Sequence, residues 1–115
     1  MESRIGEKLV ELINPIINVS YMVAQVDKFP YCAYEINNES PLRTKHGIYG
    51  SQADVSIYVV AKKESQAAQY RNRIVKALPR ERYWDFKLDG ISAETDGEHW
   101  AYKIDYTITR IFEND

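Results

Sequence analysis

The chain has 115 residues, 44% hydrophobic and 28% charged, a length that fits one domain and a composition far from that of disordered segments. Its 15 basic and 17 acidic residues leave a net charge of −2, which supplies no global positive field and argues against specific or non-specific nucleic-acid binding. The uncharged run that ends at Val26 is too short and too polar to span a bilayer, so no membrane partner is expected.

The start, MESRIGEK, lacks the apolar region of a secretory signal, and the single Cys32 has no partner for an intrachain disulfide or a CxxC metal site. Folding in a reducing, cytosolic compartment is the expectation. Ile5, Leu9, Leu12, Ile13 and Ile16 recur at spacings of three and four, which predicts an amphipathic helix with Ser3 as its cap. Pro15 ends it near Ile13. The following run, residues 16–26, is apolar and β-branched but too short for its period to decide, and is read as coil with a short strand.

Residues 30–38, PYCAYEINN, alternate as a strand opened by Pro30. Residues 39–51, ESPLRTKHGIYGS, hold a proline, two glycines and the basic cluster Arg43, Lys45 and His46, and read as a long connection or a protruding hairpin tip. A second strand follows in ADVSIYVVA, with Val55, Ile57 and Val59 on one face and Asp54, Ser56 and Tyr58 on the other. The period then changes to about 3.6, placing Ala67, Tyr70, Ile74 and Leu78 on one stripe of a helix capped by Ser65 and stopped by Pro79.

Two further strands, YWDFKLDGISAET and EHWAYKIDYTITRIF, flank Asp96-Gly97, which predicts a hairpin with a primed turn. On the last strand Trp100, Tyr102, Ile104, Tyr106, Ile108 and Phe112 share one face. The pattern predicts a single α+β domain over residues 1–115, with a mainly antiparallel four- to five-stranded sheet packed by two helices in the order α-β-β-α-β-β.

Chemistry-bearing patterns are sparse. The five glycines, at 6, 47, 50, 90 and 97, form no phosphate-binding loop. Asp96, Glu98 and His99 offer a conceivable cation site but read more simply as a solvated turn. Cys32 with a histidine, or Asp54 with Asp105, would need support that the local sequence does not give. No catalytic residue, metal or cofactor is assigned, and the chain is not expected to be an enzyme. Nine tyrosines and two tryptophans suit half-buried sheet faces and protein interfaces.

The succession of an N-terminal helix, FPYCAYE, a glycine-containing loop, VSIYVVA leading into ESQAAQYRNRIVKAL, LDGIS, and the alternating HWAYKIDYTITRIF resembles the tail completion proteins of long-tailed bacteriophages and prophages, a group related to tail terminators. It departs from them in NVSYMVAQVDK, where members of that group are shorter and richer in Gly and Pro. The resemblance implies a virion subunit, assembled in the host cytoplasm, that forms a ring, commonly a hexamer, at the head-proximal end of the tail. There it would stop tube growth and meet the tail tube protein and the head connector. A closed ring needs two different patches that meet head to tail.

On this reading the sheet edge and the aromatic last strand supply subunit contacts, and residues 39–51 reach towards an axial neighbour or the lumen. Arg43, Lys45, His46 and Tyr49 are the loop candidates. Trp84, Trp100 and Tyr102 are the subunit-interface candidates, because Trp, Tyr and Arg are enriched at binding hot spots; either tryptophan could equally belong to the core. The competing reading is a small cytosolic α+β ligand-binding or regulatory domain, a dimer holding an apolar ligand on its tyrosine-rich face. A weaker third is an enzyme accessory subunit.

Overall fold

A computed structural model describes residues 4–21 and 29–112. Helix α1 spans Arg4–Ile13 and buries Ile5, Leu9 and Ile13, the apolar stripe read from the sequence. Its expected cap, Ser3, lies outside the described residues. Strand β1, Val19–Tyr21, pairs in parallel with Cys32–Tyr34 of β2, which spans Tyr31–Thr44. Residues 22–28, the rest of the stretch read as coil, are also outside the described residues.

β1 corrects the expected architecture. The sheet is mixed, five strands in the order β1-β2-β3-β5-β4, and the chain order is α-β-β-β-α-β-β. β1 is the short strand read within residues 16–26, but three residues are shorter than two repeats of the strand period, so its alternation did not reveal its parallel place beside β2.

Strand β3, Gly47–Ala61, pairs antiparallel with β2 along almost its whole length, from Tyr31↔Val60 to Thr44↔Gly47. Most of residues 39–51 is therefore strand rather than connection, and only Lys45 and His46 form the tip. Pro41, which has no N–H to donate, is tolerated because β1 covers only Cys32–Tyr34 of the outer edge of β2. The tip is closed by the His46 N–H donating to Thr44 Oγ1 (3.1 Å) and by Gly47 at φ 120°. This hairpin projects as an arm, and the molecule measures 53 × 25 × 23 Å.

Helix α2, Glu64–Ala77, buries Ala67 and Ile74, half-buries Tyr70, and stops before Pro79 as expected. Its N-cap is Lys63, in extended conformation and without a side-chain capping bond, so Ser65 sits inside the first turn instead of capping it. Strands β4, Trp84–Thr95, and β5, Trp100–Ile111, form the expected antiparallel hairpin. Their connection is four residues, 96–99, not a two-residue primed turn. Only Gly97 takes positive φ (93°), while the Asp96 carboxylate Oδ1 accepts from the Glu98 and His99 N–H groups at 2.8 and 2.7 Å.

Both helices pack on one face of the sheet. There Ile5, Leu9, Ile74, Ile57, Ile104 and Ile108 meet in one buried cluster, each worth roughly 1.5–3 kcal/mol in area removed from water. β3 and β5 form the central seam, paired from Gly50↔Ile111 to Ala61↔Trp100. At Gly50 the strands come so close that any Cβ would collide with the backbone carbonyl of Arg110, which fixes glycine at the base of the arm.

One buried group is unsatisfied. The Tyr106 hydroxyl has no hydrogen-bond partner among the described residues, and burial pushes its pKa up to about 12. A buried unpaired hydroxyl costs about 1–3 kcal/mol. Tyr106→Phe is therefore expected to keep or raise stability, by up to about 1 kcal/mol in urea unfolding, since the lost desolvation cost offsets the small loss of packing. A fall beyond that size would mean that the hydroxyl is bonded.

Candidate interface surfaces

The sheet face away from the helices is polar, and its side chains bond across strands. The Tyr58 hydroxyl of β3 donates to Glu35 Oε1 of β2 at 3.0 Å. Asn37 Nδ2 donates to Ser56 Oγ at 3.2 Å, and Ser56 donates in turn to Asp105 Oδ1 of β5 at 2.8 Å. Towards the arm, Gln52 Nε2 donates to Thr109 Oγ1 at 3.2 Å. At the other edge, Thr107 donates to Asp89 of β4 at 2.5 Å. These bonds tie four strands together, and they explain why Ser56 is buried although it lies on the face predicted to be wet.

The sequence-predicted loop residues sit on the arm. Arg43 is in β2, Lys45 and His46 are the tip, and Tyr49 is in β3; all are exposed. The three interface candidates lie in the body. Trp84 is half-buried against the main core, with Lys8 Nζ 5.7 Å and the Arg110 guanidinium 5.5 Å from its ring centroid. Trp100 packs on the small cluster of Ala61, Ala67 and Tyr102. Tyr102 is buried at 7% exposure; its hydroxyl donates to Glu64 Oε1 at 2.7 Å, and Arg71 lies 4.5 Å over its ring. The arm candidates are thus brought together, and the three aromatics are spread along β4 and β5.

Cys32 is buried, and desolvation pushes its thiol up to about 12, which keeps it protonated and a poor nucleophile. Asp105 is engaged by Ser56, and Asp54, opposite Thr107 two register pairs away, is its diagonal neighbour on the same face. Among the described residues, no group of three or more His, Cys, Asp or Glu is placed to hold a metal ion. His99 Nδ1 lies 3.3 Å from Asp96 Oδ2, and its ring stacks on Phe29 at 4.3 Å between centroids.

Three surfaces escaped the sequence reading. A bulge between Leu88 and Gly90 shifts the register of β4, and Leu88 and Ile91 stand exposed at 41% and 43%. The LDG triplet, an acid and a glycine inside an alternating run, was the available signal. The second is an open groove of about 440 Å³ at the base of the arm, lined by Pro41, Ile48 and Phe112 among others. Beside Trp84, a second open groove of about 330 Å³ is bounded by α1 and Arg110. Neither encloses a ligand-sized volume away from solvent.

The turn at 96–99 gives a direct electrostatic check. Hydrogen bonds from the Glu98 and His99 backbone hold the Asp96 carboxyl down to about 2. Its folded pKa lies below its unfolded value near 3.8, so its contribution to the turn is complete above that value and is lost as pH falls through about 2. A carbon-detected NMR titration should show Asp96 titrating near 2, while an ordinary value near 4 would mean that the two backbone bonds are absent in solution.

No protein-family model and no curated protein matches the sequence. Among solved structures, the fold is similar to that of a chain in "Virion of native gene transfer agent (GTA) particle", with a TM-score of 0.59 and 14% identity, over 90% of this chain and 84% of that chain. At that identity the likeness shows a shared α+β fold.

Proposed function

We propose that the protein is a structural subunit of a phage-type particle. In this reading it forms a ring at the head-proximal end of a tail, ends growth of the tube and joins the tail to the head connector. The observation that carries it is the fold shared with a chain of a gene transfer agent virion across nearly the full length of both. The same direction is given by the resemblance of FPYCAYE, VSIYVVA and HWAYKIDYTITRIF to tail completion proteins.

The physical form of the chain supports this role. A ring subunit must hold fixed patches at fixed angles, and the strand seam with helices locked on one face supplies a stiff body. It must also offer two different contact surfaces, and the chain has an arm at one end and a bare β4 edge along one side. A ring acts through position alone, so this reading assigns no catalytic group and no cofactor. The competing ligand-binding domain draws little support from open grooves.

Light scattering across a wide concentration range, repeated with purified tail tubes, tests the proposal. A closed assembly, sixfold by the resemblance, or binding at tube ends that stops further growth is expected. A concentration-independent monomer or dimer that ignores tubes would overturn it.

A further inference from the structure

The arm and the β4 edge carry patterns that match each other. On the arm, Ile48 and Tyr49 are exposed at 50% and 42%, large values for apolar groups; Arg43 pairs across from Ile48, and Lys45 and His46 lie beyond at the tip. On β4, the exposed pair Leu88 and Ile91 is followed by Glu94, Asp96 and Glu98, all exposed. Extended chain rises about 3.3 Å per residue, so Tyr49 stands about 7 Å before Gly47, where the chain turns through Lys45 and His46, and Ile91 stands about 10 Å before Glu94. On both surfaces an apolar patch is followed along the strand by a charged one, and the two charges are opposite.

The β4 edge is also open to a neighbour. The 79–81 segment covers its first residues through Phe86 N–H to Pro79 O (3.0 Å) and Glu81 N–H to Trp84 O (2.9 Å). From Lys87 onward no strand lies beside it among the described residues. Such an edge, twelve residues long in all, ordinarily carries a covering element or a partner. The like-charged opponents are few: Lys87 directly precedes Leu88 ahead of the bulge, and Glu39 lies further down the arm from its tip.

We propose that the arm of one copy lies along β4 of the next, with Ile48 or Tyr49 on Leu88 and Ile91 and the basic tip against Glu94 and Glu98. Ile48 and Tyr49 stand on successive, hence opposite, faces of β3, so the arm presents one of them whichever face it turns to the neighbour. The arm tip extends past the Gly50↔Ile111 pair, and the 96–99 turn lies at the opposite end of β5, beyond Trp100. One copy can therefore give its arm and receive another at once, which is the head-to-tail contact that closes into a ring. The inference rests on the ring reading and names its lateral surfaces.

Charge reversal on the full chain tests it. The arm variant R43E/K45E and the edge variant E94K/E98K change only exposed side chains, and circular dichroism checks that both keep the parent fold. Each alone is expected to raise the concentration for half-assembly about tenfold or more, and 1 M salt should weaken the parent in the same direction. An equimolar mixture of the two restores assembly, because the acidic arm of one variant meets the basic edge of the other. The double variant I48S/Y49S should weaken assembly without changing its salt dependence. Rings that form equally well in both variants, or a mixture that does not recover, would overturn the arm contact and leave the ring standing. A parent that stays monomeric even with tail tubes present would remove both.

Discussion

The pairing of β3 with β5 is the constraint on which the rest of the molecule depends. It runs without a register shift from Gly50↔Ile111 to Ala61↔Trp100, so twelve successive pairs hold two strands in one fixed relation. Because side chains alternate along a strand, this one seam assigns Val55, Ile57, Ile104 and Tyr106 to the helices and Ser56, Tyr58 and Asp105 to the open face. A slip of one residue would exchange the two sets and bury carboxylates under α1 and α2. Gly50 marks where the seam ends, since the carbonyl of Arg110 leaves no room there for a side chain, and beyond it β3 runs on with β2 as the arm.

The two faces of the seam do different work. The helix-side face provides the apolar area that makes the domain stable, whereas the open face is held by directed bonds between neighbouring strands, from Glu35 and Asn37 through Tyr58, Ser56 and Asp105. Such bonds add modest stability each, about 0.5–1.5 kcal/mol, but leaving one partner unmatched is costly, so they specify register more than they add energy. They also use up the carboxylates that would otherwise resemble a catalytic or metal-binding set.

Much of the body was legible in the sequence. The stripes Ile5, Leu9, Ile13 and Ala67, Ile74, Leu78 gave both helices, and the alternation of Trp100 to Ile108 gave β5 and its buried face, because burial on one side imposes a period that single residues reveal. What was hidden came from features with no period. The short strand read in residues 16–26 is β1, but with three residues nothing repeats, and its parallel pairing with β2 was not legible. The arm was masked by Pro41, Gly47 and Gly50, residues that usually mark turns but here sit on an edge strand, at a tight tip and at a close approach. Asp96-Gly97 announced a hairpin correctly while its turn type was set by the Asp96 side chain, a bond that propensity does not encode. The bulge in β4 sets Leu88 and Ile91, three residues apart, on one face opposite Tyr106 and Ile104, where simple alternation would put them on opposite faces.

The central claim is that this chain works as a repeated, head-to-tail subunit, and electron microscopy of the assembled protein tests it most directly. Class averages should show closed rings of one rotational symmetry, with each projecting arm crossing onto the neighbouring subunit. Isolated particles with two-fold symmetry, or single copies whose arms touch nothing at concentrations where tubes are capped, would contradict the account.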